Sequence, residues 1–343
     1  MGNLYNGLLD LLGNGFGPVM RIIYNIFNDY VVAIIVFTVI VRIISLPTAI
    51  SQQKNQAKSQ RMQLKMKKIQ EKYKDDRQRL QQEQQEFYNR EGYNPMSAGC
   101  STGMIIQMPI MFGLMSAIYR PLQYALQVPK EIITALAGAA AGILGTPDGK
   151  ADAMLRPDSL QIQLRITENI EQFAHLFGGD SELSLAWYGK IHEFAENFTF
   201  MGLKLGMTVS EGMGGSITDF FKGNLKGSWV YVLIPVFAYL TMMCTSLFTM
   251  LRQRRMNVQQ QQPAAMTGCM TFAMPLMNAY FAFLFPVGIG IYWIVSGLVQ
   301  FIQTVALSYT HPPQKMLAKV LVEETITRRS RENSRKKIAA MNE

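Results

Sequence analysis

The residue most clearly suited to a chemical or binding role is an arginine inside a long apolar stretch. Arg42 lies within residues 30–50, which read YVVAIIVFTVIVRIISLPTAI. A charge deep in a membrane span costs about 2.5–3.5 kcal/mol on insertion scales, so such a residue normally faces water or a partner. Two interpretations stay open. Arg42 either extends to the headgroups at the membrane surface, or it faces a polar interior between helices.

Small and polar residues share a helix face with Arg42, and similar stripes occur in the other apolar stretches. Thr38, Arg42 and Ser45 follow i, i+4, i+7 spacing, which places them on one face. Each stripe makes ordinary hydrogen bonds between helices, or the stripes line one shared groove. Since the apolar stretches contain no Asp or Glu, such a groove would carry a net positive charge. The candidate groove residues are Arg42, Thr38, Ser45, Gln107, Trp293, Ser296, Gln300 and Gln303.

The same stretches argue against enzymatic chemistry. An intramembrane hydrolase needs paired carboxylates, a serine–lysine pair or zinc ligands within its spans, and the apolar stretches contain no Asp, Glu, Lys or His. Three cysteines and three histidines in 343 residues are too few for a disulfide scaffold or a zinc site. We therefore expect a protein that is not an enzyme and needs no metal or cofactor.

Composition indicates that these residues belong to a membrane protein. Hydrophobic residues make up 49% of the chain and charged residues 17%, against roughly a quarter charged in soluble domains. One bilayer crossing needs about 20 apolar helical residues. The sequence therefore predicts an all-α polytopic membrane protein whose five transmembrane helices surround a polar groove. They lie at 29–50, 93–120 and 229–251, with two more in 267–309 that separate at Phe285-Pro286-Val287-Gly288.

Charge in the connecting segments predicts the orientation, because cytoplasmic loops retain Lys and Arg. Residues 51–92 have 11 basic and 6 acidic side chains, whereas residues 121–228 have 8 basic and 12 acidic ones. We expect an external interfacial segment at 1–28 and an external insertion at 121–228. The cytoplasmic parts are then a helical hairpin at 51–92 that turns near Asp75-Asp76, a loop at 252–266 and a basic tail at 310–343.

Two shorter segments are expected to be helices that do not cross the membrane. Residues 131–144, EIITALAGAAAGIL, are short for a span and rich in Ala and Gly. They fit a helix of the external insertion or a re-entrant segment. Residues 3–12 place four leucines at helical spacing, which is typical of an interfacial amphipathic helix.

Several ordered blocks resemble the YidC/Oxa/Alb family of membrane-protein insertases. They read AIIVFTVIVRIISLP (33–47), KMKKIQEKYKDD (65–76), NPMSAGCSTGMIIQMPIM (94–111) and FPVGIGIYW (285–293). The resemblance implies a chaperone that takes hydrophilic segments of nascent membrane proteins into a positively charged groove and releases their apolar segments into lipid. It matches Arg42 to the groove arginine, and Gln107, Trp293 and Gln303 to polar and aromatic groove positions.

The resemblance also implies partners and a location. The expected partners are nascent membrane proteins, the ribosome, the Sec translocon, the signal recognition particle receptor and the lipid bilayer, but not DNA. Since no transit peptide is evident in residues 1–28, we expect a multi-pass protein of the bacterial plasma membrane. Its N-terminus would be outside and its C-terminus cytoplasmic. A membrane transporter, which would favour internal repeats, and a scaffold without insertion activity are the alternatives.

Overall fold

A computed structural model of the protein describes residues 2–74, 76–91, 102–144, 161–178, 185–216, 218–219, 222–224, 226–255 and 264–310, with isolated positions between 312 and 333. These residues are mostly helical. In chain order the helices are α1 Gly2–Phe27, α2 Tyr30–Ile44, α3 Leu46–Lys72, α4 Arg77–Glu91, α5 Thr102–Tyr119, α6 Pro121–Tyr124, α7 Lys130–Leu144, α8 Ile162–Glu168, α9 Leu185–Glu196, α10 Val209–Met213, α11 Leu233–Arg255, α12 Ala264–Leu284 and α13 Val287–Thr310. Two 3-10 helices, Ile170–Leu176 and Trp229–Val232, and an antiparallel strand pair, β1 Thr199–Phe200 and β2 Leu203–Lys204, complete the list.

Among the described residues, two helices are long and apolar enough to cross a membrane. They are Trp229–Arg252 and Val287–Thr310, each of 24 residues. Tyr30–Ile44 and Leu46–Gln53 make a third candidate if this bent pair counts as one span. Pro109–Tyr119 and Pro275–Leu284 are shorter apolar helices. A helical membrane protein is therefore confirmed, whereas the five-span arrangement remains a prediction.

The first predicted span differs in one respect from the expected continuous helix over 29–50. The helix breaks at Ser45, so that α2 ends at Ile44 and α3 begins at Leu46. Pro47 in the first turn of α3 has no backbone N–H and cannot continue the preceding helix. Helix α3 then continues to Lys72. It therefore passes residue 50, where the sequence predicts that the span ends.

The chain divides into two compact units. The first comprises Met1–Arg42, Gln107–Ser246 and Thr271–Val299, and the second comprises Ile43–Ile106, Leu247–Met270 and Gln300–Glu343.

An aromatic cluster joins three helices in the core of the first unit. Tyr30, at the start of α2, lies 5.5 Å from Phe194 and 5.2 Å from Phe198, measured between ring centroids. Its hydroxyl donates a hydrogen bond of 2.9 Å to the carbonyl of Ala117 in α5. Tyr30 is 1% exposed, so this bond satisfies a polar group that burial would otherwise leave without a partner.

Helix α1 is longer than the helix predicted over 3–12. It continues to Phe27 through Pro18, although proline weakens a helix interior. Tertiary packing accounts for the extension. A Cβ atom added at Gly13 or Gly17 would come within 2.4 Å or 2.3 Å of the Tyr124 side chain. The two glycines, one turn apart, therefore let α6 approach the α1 backbone.

Helix α7 has the amphipathic character of a helix in a folded domain. Ile132, Leu136 and Ala140 lie on one buried face and belong to a small core formed with α8 and the 3-10 helix Ile170–Leu176. This packing is that of a helix within a folded domain, while the external location of residues 121–228 stays a prediction.

Residues 203–211, which we name the strap, hold the start of α13 in the first unit. The backbone N–H groups of Val287 and Gly288 donate to the carbonyls of Met207 and Leu205, each at 2.9 Å. These N–H groups belong to the first turn of a helix and have no partner within it. The strap itself turns into α10 through a capping box, in which Thr208 and Glu211 exchange side-chain and backbone hydrogen bonds.

A buried carboxylate attaches the strap to α8. The side chain of Glu168 is 2% exposed and lies 3.7 Å from Arg165 Nη1, and Arg165 also contacts Glu211. A Cβ at Gly206 would lie 2.7 Å from Glu168 Oε1 and 3.3 Å from Leu164 Cβ, so a larger residue would force the Glu168 side chain to shift. Burial raises the pKa of Glu168 to about 7, although the nearby Arg165 and Lys204 oppose the shift.

In the second unit, α3 and α4 lie where the sequence predicts a hairpin. Asp75 of the predicted turn lies outside the described residues, and Asp76 Oδ1 accepts a 3.0 Å bond from the Arg79 backbone N–H at the start of α4. Met66 and Phe87 form a small buried cluster between the helices. Tyr73 donates a 3.1 Å hydrogen bond to Glu83.

Candidate functional site

The centre of the candidate site is a hydrogen-bonded pair between α2 and α13. Arg42 Nε donates to Ser296 Oγ at 3.0 Å, and Arg42 Nη2 also contacts this oxygen. Ser296 is 3% exposed, whereas Arg42 is partly buried. The hydroxyl therefore fixes one edge of the guanidinium between α2 and α13.

Two further predicted residues, Thr38 and Trp293, lie on the same two helices as this pair. Thr38 is 1% exposed and donates to the Ile34 carbonyl of its own helix at 2.6 Å. Trp293 is partly buried and packs edge-to-face on Phe285, with ring centroids 5.7 Å apart. Thr38 is thus satisfied within α2, while Trp293 is oriented by the residue that begins the turn into α13.

Two glycines bring α11 close to the helix that carries Ser296. A Cβ at Gly290 would lie 2.2 Å from the side chain of Ile234, and one at Gly297 would lie 2.6 Å from Thr241 Oγ1. Small residues let membrane helices approach closely. Since Gly297 is adjacent to Ser296 in sequence, this packing fixes the height and rotation of the serine.

Four predicted groove residues are not among the described side chains of the first unit. Gln107 is in α5, but its side chain is outside the described part of the structure. Ser45, Gln300 and Gln303 belong to the second unit, where Ser45 precedes α3 and the Gln300 carbonyl accepts a 2.7 Å bond from Thr304. The structure therefore brings together Arg42 and Ser296 directly, and orders Thr38 and Trp293 on the same two helices.

The chemistry available at this site is reversible binding of an anion. Arginine stays protonated in proteins and matches the two oxygens of a carboxylate. Within the described residues, no group of three or more His, Cys, Asp or Glu side chains could hold a metal ion. The pair has a hydroxyl and a permanent cation, which bind charge but do not form a nucleophile–base arrangement.

Sequence reasoning missed the two features that position α13. The strap carries a detectable signal, because Thr208 and Glu211 match the pattern of a capping box. The glycine pair at 290 and 297 has the seven-residue spacing of one helix face. Neither signal identifies its partner, because Gly288 is distant in sequence from the strap and Thr241 is distant from Gly297.

Comparison with known proteins gives matches over most of the chain. Residues 22–177 and 181–314 match the family described as "60Kd inner membrane protein". One relative is the membrane protein insertase YidC of Clostridium perfringens, which is 41% identical over 92 residues, covering 27% of this chain and 38% of the relative.

Two further relatives have similar names. The membrane protein insertase MisCB of Bacillus subtilis is 30% identical over 119 residues, covering 32% of this chain and 43% of its own. The YidC of Syntrophus aciditrophicus is 38% identical over 109 residues, covering 32% of this chain and 19% of its own. The chain thus spans less than half the length of each of these relatives.

Proposed function

The chain belongs to the 60Kd inner membrane protein family, which is the YidC/Oxa/Alb family, and we propose that it is a membrane-protein insertase. It takes a hydrophilic segment of a nascent membrane protein into a polar groove that contains Arg42, and the apolar segment passes into lipid. The observation that carries the proposal is the Arg42–Ser296 hydrogen bond, which places a cation at a defined position on apolar helices.

The mechanism follows from the electrostatics of this pair. A fixed guanidinium attracts an acidic side chain, and attraction between charges strengthens as water is excluded. In this proposal the incoming segment supplies the carboxylate that contacts Arg42. Contact between this carboxylate and Arg42 lowers the free energy needed to move the segment into the membrane. The helices contribute a binding site and no covalent chemistry.

The wider arrangement belongs to the same proposal. Five spans surround the groove, with Gln107, Ser45, Gln300 and Gln303 as further lining residues. The N-terminus is external and the C-terminus cytoplasmic in a bacterial plasma membrane. The basic tail 310–343 recruits the ribosome, and the Sec translocon and the signal recognition particle receptor act as further partners. Charge asymmetry between 51–92 and 121–228 supports the orientation.

Reconstitution tests the proposal directly. Liposomes with the purified chain receive a small single-span substrate whose external segment carries two carboxylates, and insertion is measured as protection from protease. We expect insertion above the level of empty liposomes. Arg42→Ala should lower it by between about tenfold and 150-fold, as expected from the loss of a charge-assisted bond worth roughly 1.5–3 kcal/mol. Arg42→Lys should lower it less, because the charge remains but the fork is lost.

Two controls separate the role of Arg42 from general damage. Arg21→Ala removes another arginine of the first unit and should leave insertion unchanged. A substrate with amides in place of its carboxylates should lose its sensitivity to Arg42→Ala. If wild-type liposomes protect no more substrate than empty ones, the chain is a scaffold or a transporter. If Arg42→Ala inserts the acidic substrate fully, the arginine only extends to the membrane surface.

A further inference from the structure

A polar cavity lies in the first unit, separate from the Arg42 site. Its volume is about 380 Å³, which is within the range of small-ligand sites. The walls come from α1, from Arg120 between α5 and α6, and from α6 and α7. They are lined by Asn14, Arg120, Gln123, Lys130, Ile133 and Thr134.

Local contacts hold these walls in place. Gly13 and Gly17 pack on Tyr124, and the Tyr124 hydroxyl donates to Asn14 Oδ1 at 3.4 Å. The backbone N–H of Gln123 donates to Gln163 Oε1 at 3.1 Å, and Gln163 is 6% exposed. The backbone of the walls is therefore fixed by buried groups, while the lining side chains of Asn14, Lys130 and Thr134 are exposed.

The charges of the lining select an anion. Arg120 and Lys130 are cationic, and none of the six described lining residues is acidic. Gln123, Asn14 and Thr134 add amide and hydroxyl groups. Phosphate oxygens are recognised by this combination of cations and neutral donors.

The surroundings of the cavity favour a ligand that also has an apolar part. Asn14 lies on α1 between Leu11 and Pro18, which are three residues before it and four after it, on the same helix face. Leu11 is 71% exposed and Ile22, farther along this face, is 56% exposed. Arg120 directly follows the apolar helix Pro109–Tyr119, where a span reaches the headgroup level.

We propose that this cavity binds the phosphate of an anionic lipid headgroup, while an acyl chain lies along the apolar face of α1. Arg120 and Lys130 hold the phosphate, and Gln123 and Thr134 donate to its oxygens or to the glycerol. The inference requires α5 to be a membrane span, which is part of the proposed function. It does not require insertion activity or a particular orientation of the termini.

Native mass spectrometry of the full chain, released from detergent micelles, tests the proposal. The protein receives equal amounts of phosphatidylglycerol and phosphatidylcholine with identical acyl chains, and the retained lipids are counted. We expect wild type to retain phosphatidylglycerol preferentially. Lys130→Gln should reduce this preference at least threefold. Lys130 is exposed, so the variant should fold. The matched control Lys222→Gln removes an exposed lysine outside the cavity and should leave the preference unchanged.

A third arm distinguishes a lipid from a free phosphate. Water-soluble glycerol phosphate, at the same concentration as the lipid, should fail to displace phosphatidylglycerol. Displacement would overturn the proposal in favour of a soluble phosphate. Equal retention of the two lipids, or equal losses in Lys130→Gln and Lys222→Gln, would also overturn it. Because the readout is lipid retention, failure here is distinct from failure in the insertion assay.

Discussion

The buried carboxyl of Glu168 makes the attachment of the strap depend on pH. Arg165, Lys204 and Glu211 are the charged groups that face it. A carboxyl whose pKa is raised in the folded protein binds its proton more tightly there than in the unfolded chain. The folded state is therefore penalised as the pH rises above the unfolded pKa of 4.5, and the penalty is complete above the folded pKa of about 7.

The size of the effect follows from these two pKa values. Each pH unit between them corresponds to about 1.4 kcal/mol, so the full penalty is about 3 kcal/mol. Between pH 5 and pH 8 the folded state loses roughly 2.5 kcal/mol of stability. This corresponds to a factor of about 70 in the equilibrium constant for opening of the strap. Because the Glu168 side chain is 2% exposed, solvent screening reduces this value little.

Hydrogen exchange measures the opening at the strap itself. Protection factors are compared for the backbone N–H groups of Val287, Gly288 and Gly212, which donate to strap carbonyls. After correction for intrinsic rates, we expect wild-type protection to fall about 70-fold from pH 5 to pH 8. Glu168→Gln should keep its protection nearly constant over this range, because its neutral amide does not titrate.

The control is Glu193→Gln, which removes an exposed carboxyl on α9 and should retain the wild-type dependence. Constant protection in wild type would show that Arg165 keeps Glu168 ionised in the fold. If the pH dependence of protection persists unchanged in Glu168→Gln, it arises from another titrating group. Either result would refute the reasoning from burial.

Two further substitutions test the packing that positions the site, each measured as thermal unfolding in detergent. Tyr30→Phe should destabilise the first unit by about 1–3 kcal/mol, because the buried Ala117 carbonyl loses the 2.9 Å bond from its hydroxyl; an unchanged midpoint would mean that another donor replaces it. Gly297→Ala should cost about 1–3 kcal/mol, since its Cβ would meet Thr241 Oγ1 at 2.6 Å. Gly138→Ala is the control, because nothing lies within 4 Å of a Cβ there. It should stabilise α7 by up to about 1 kcal/mol. Equal effects of the two alanine substitutions would contradict the close-packing argument.

The apolar periodicity and the position of Arg42 are enough to predict helices and one polar centre. Arg42 and Ser296 were both candidates because each lies on a polar stripe of an apolar helix. Their direct hydrogen bond depends on how α2 and α13 are rotated against each other. A single helix pattern does not determine that rotation, because it defines a face but no neighbour.

Other features depended on tertiary packing that local patterns do not encode. The continuation of α1 through Pro18 follows from contacts of its glycines with Tyr124. The break at Ser45 had a local cause in Pro47, yet the apolar run across it favoured a single span. Burial of Glu168 was not predictable, since α8 contains charged residues that are usually exposed.

The hydrogen bonds between the strap and α13 have a consequence for the order of folding. They join residues about 80 positions apart, from Leu205 and Met207 to Gly288 and Val287, so their closure carries the entropy cost of a long loop. During synthesis the strap emerges well before its partner. The carbonyls of Leu205 and Met207 therefore accept hydrogen bonds from water until α13 has been synthesised. We expect this contact to form late in folding. The Arg42–Ser296 hydrogen bond depends on the same helix and should form at the same stage.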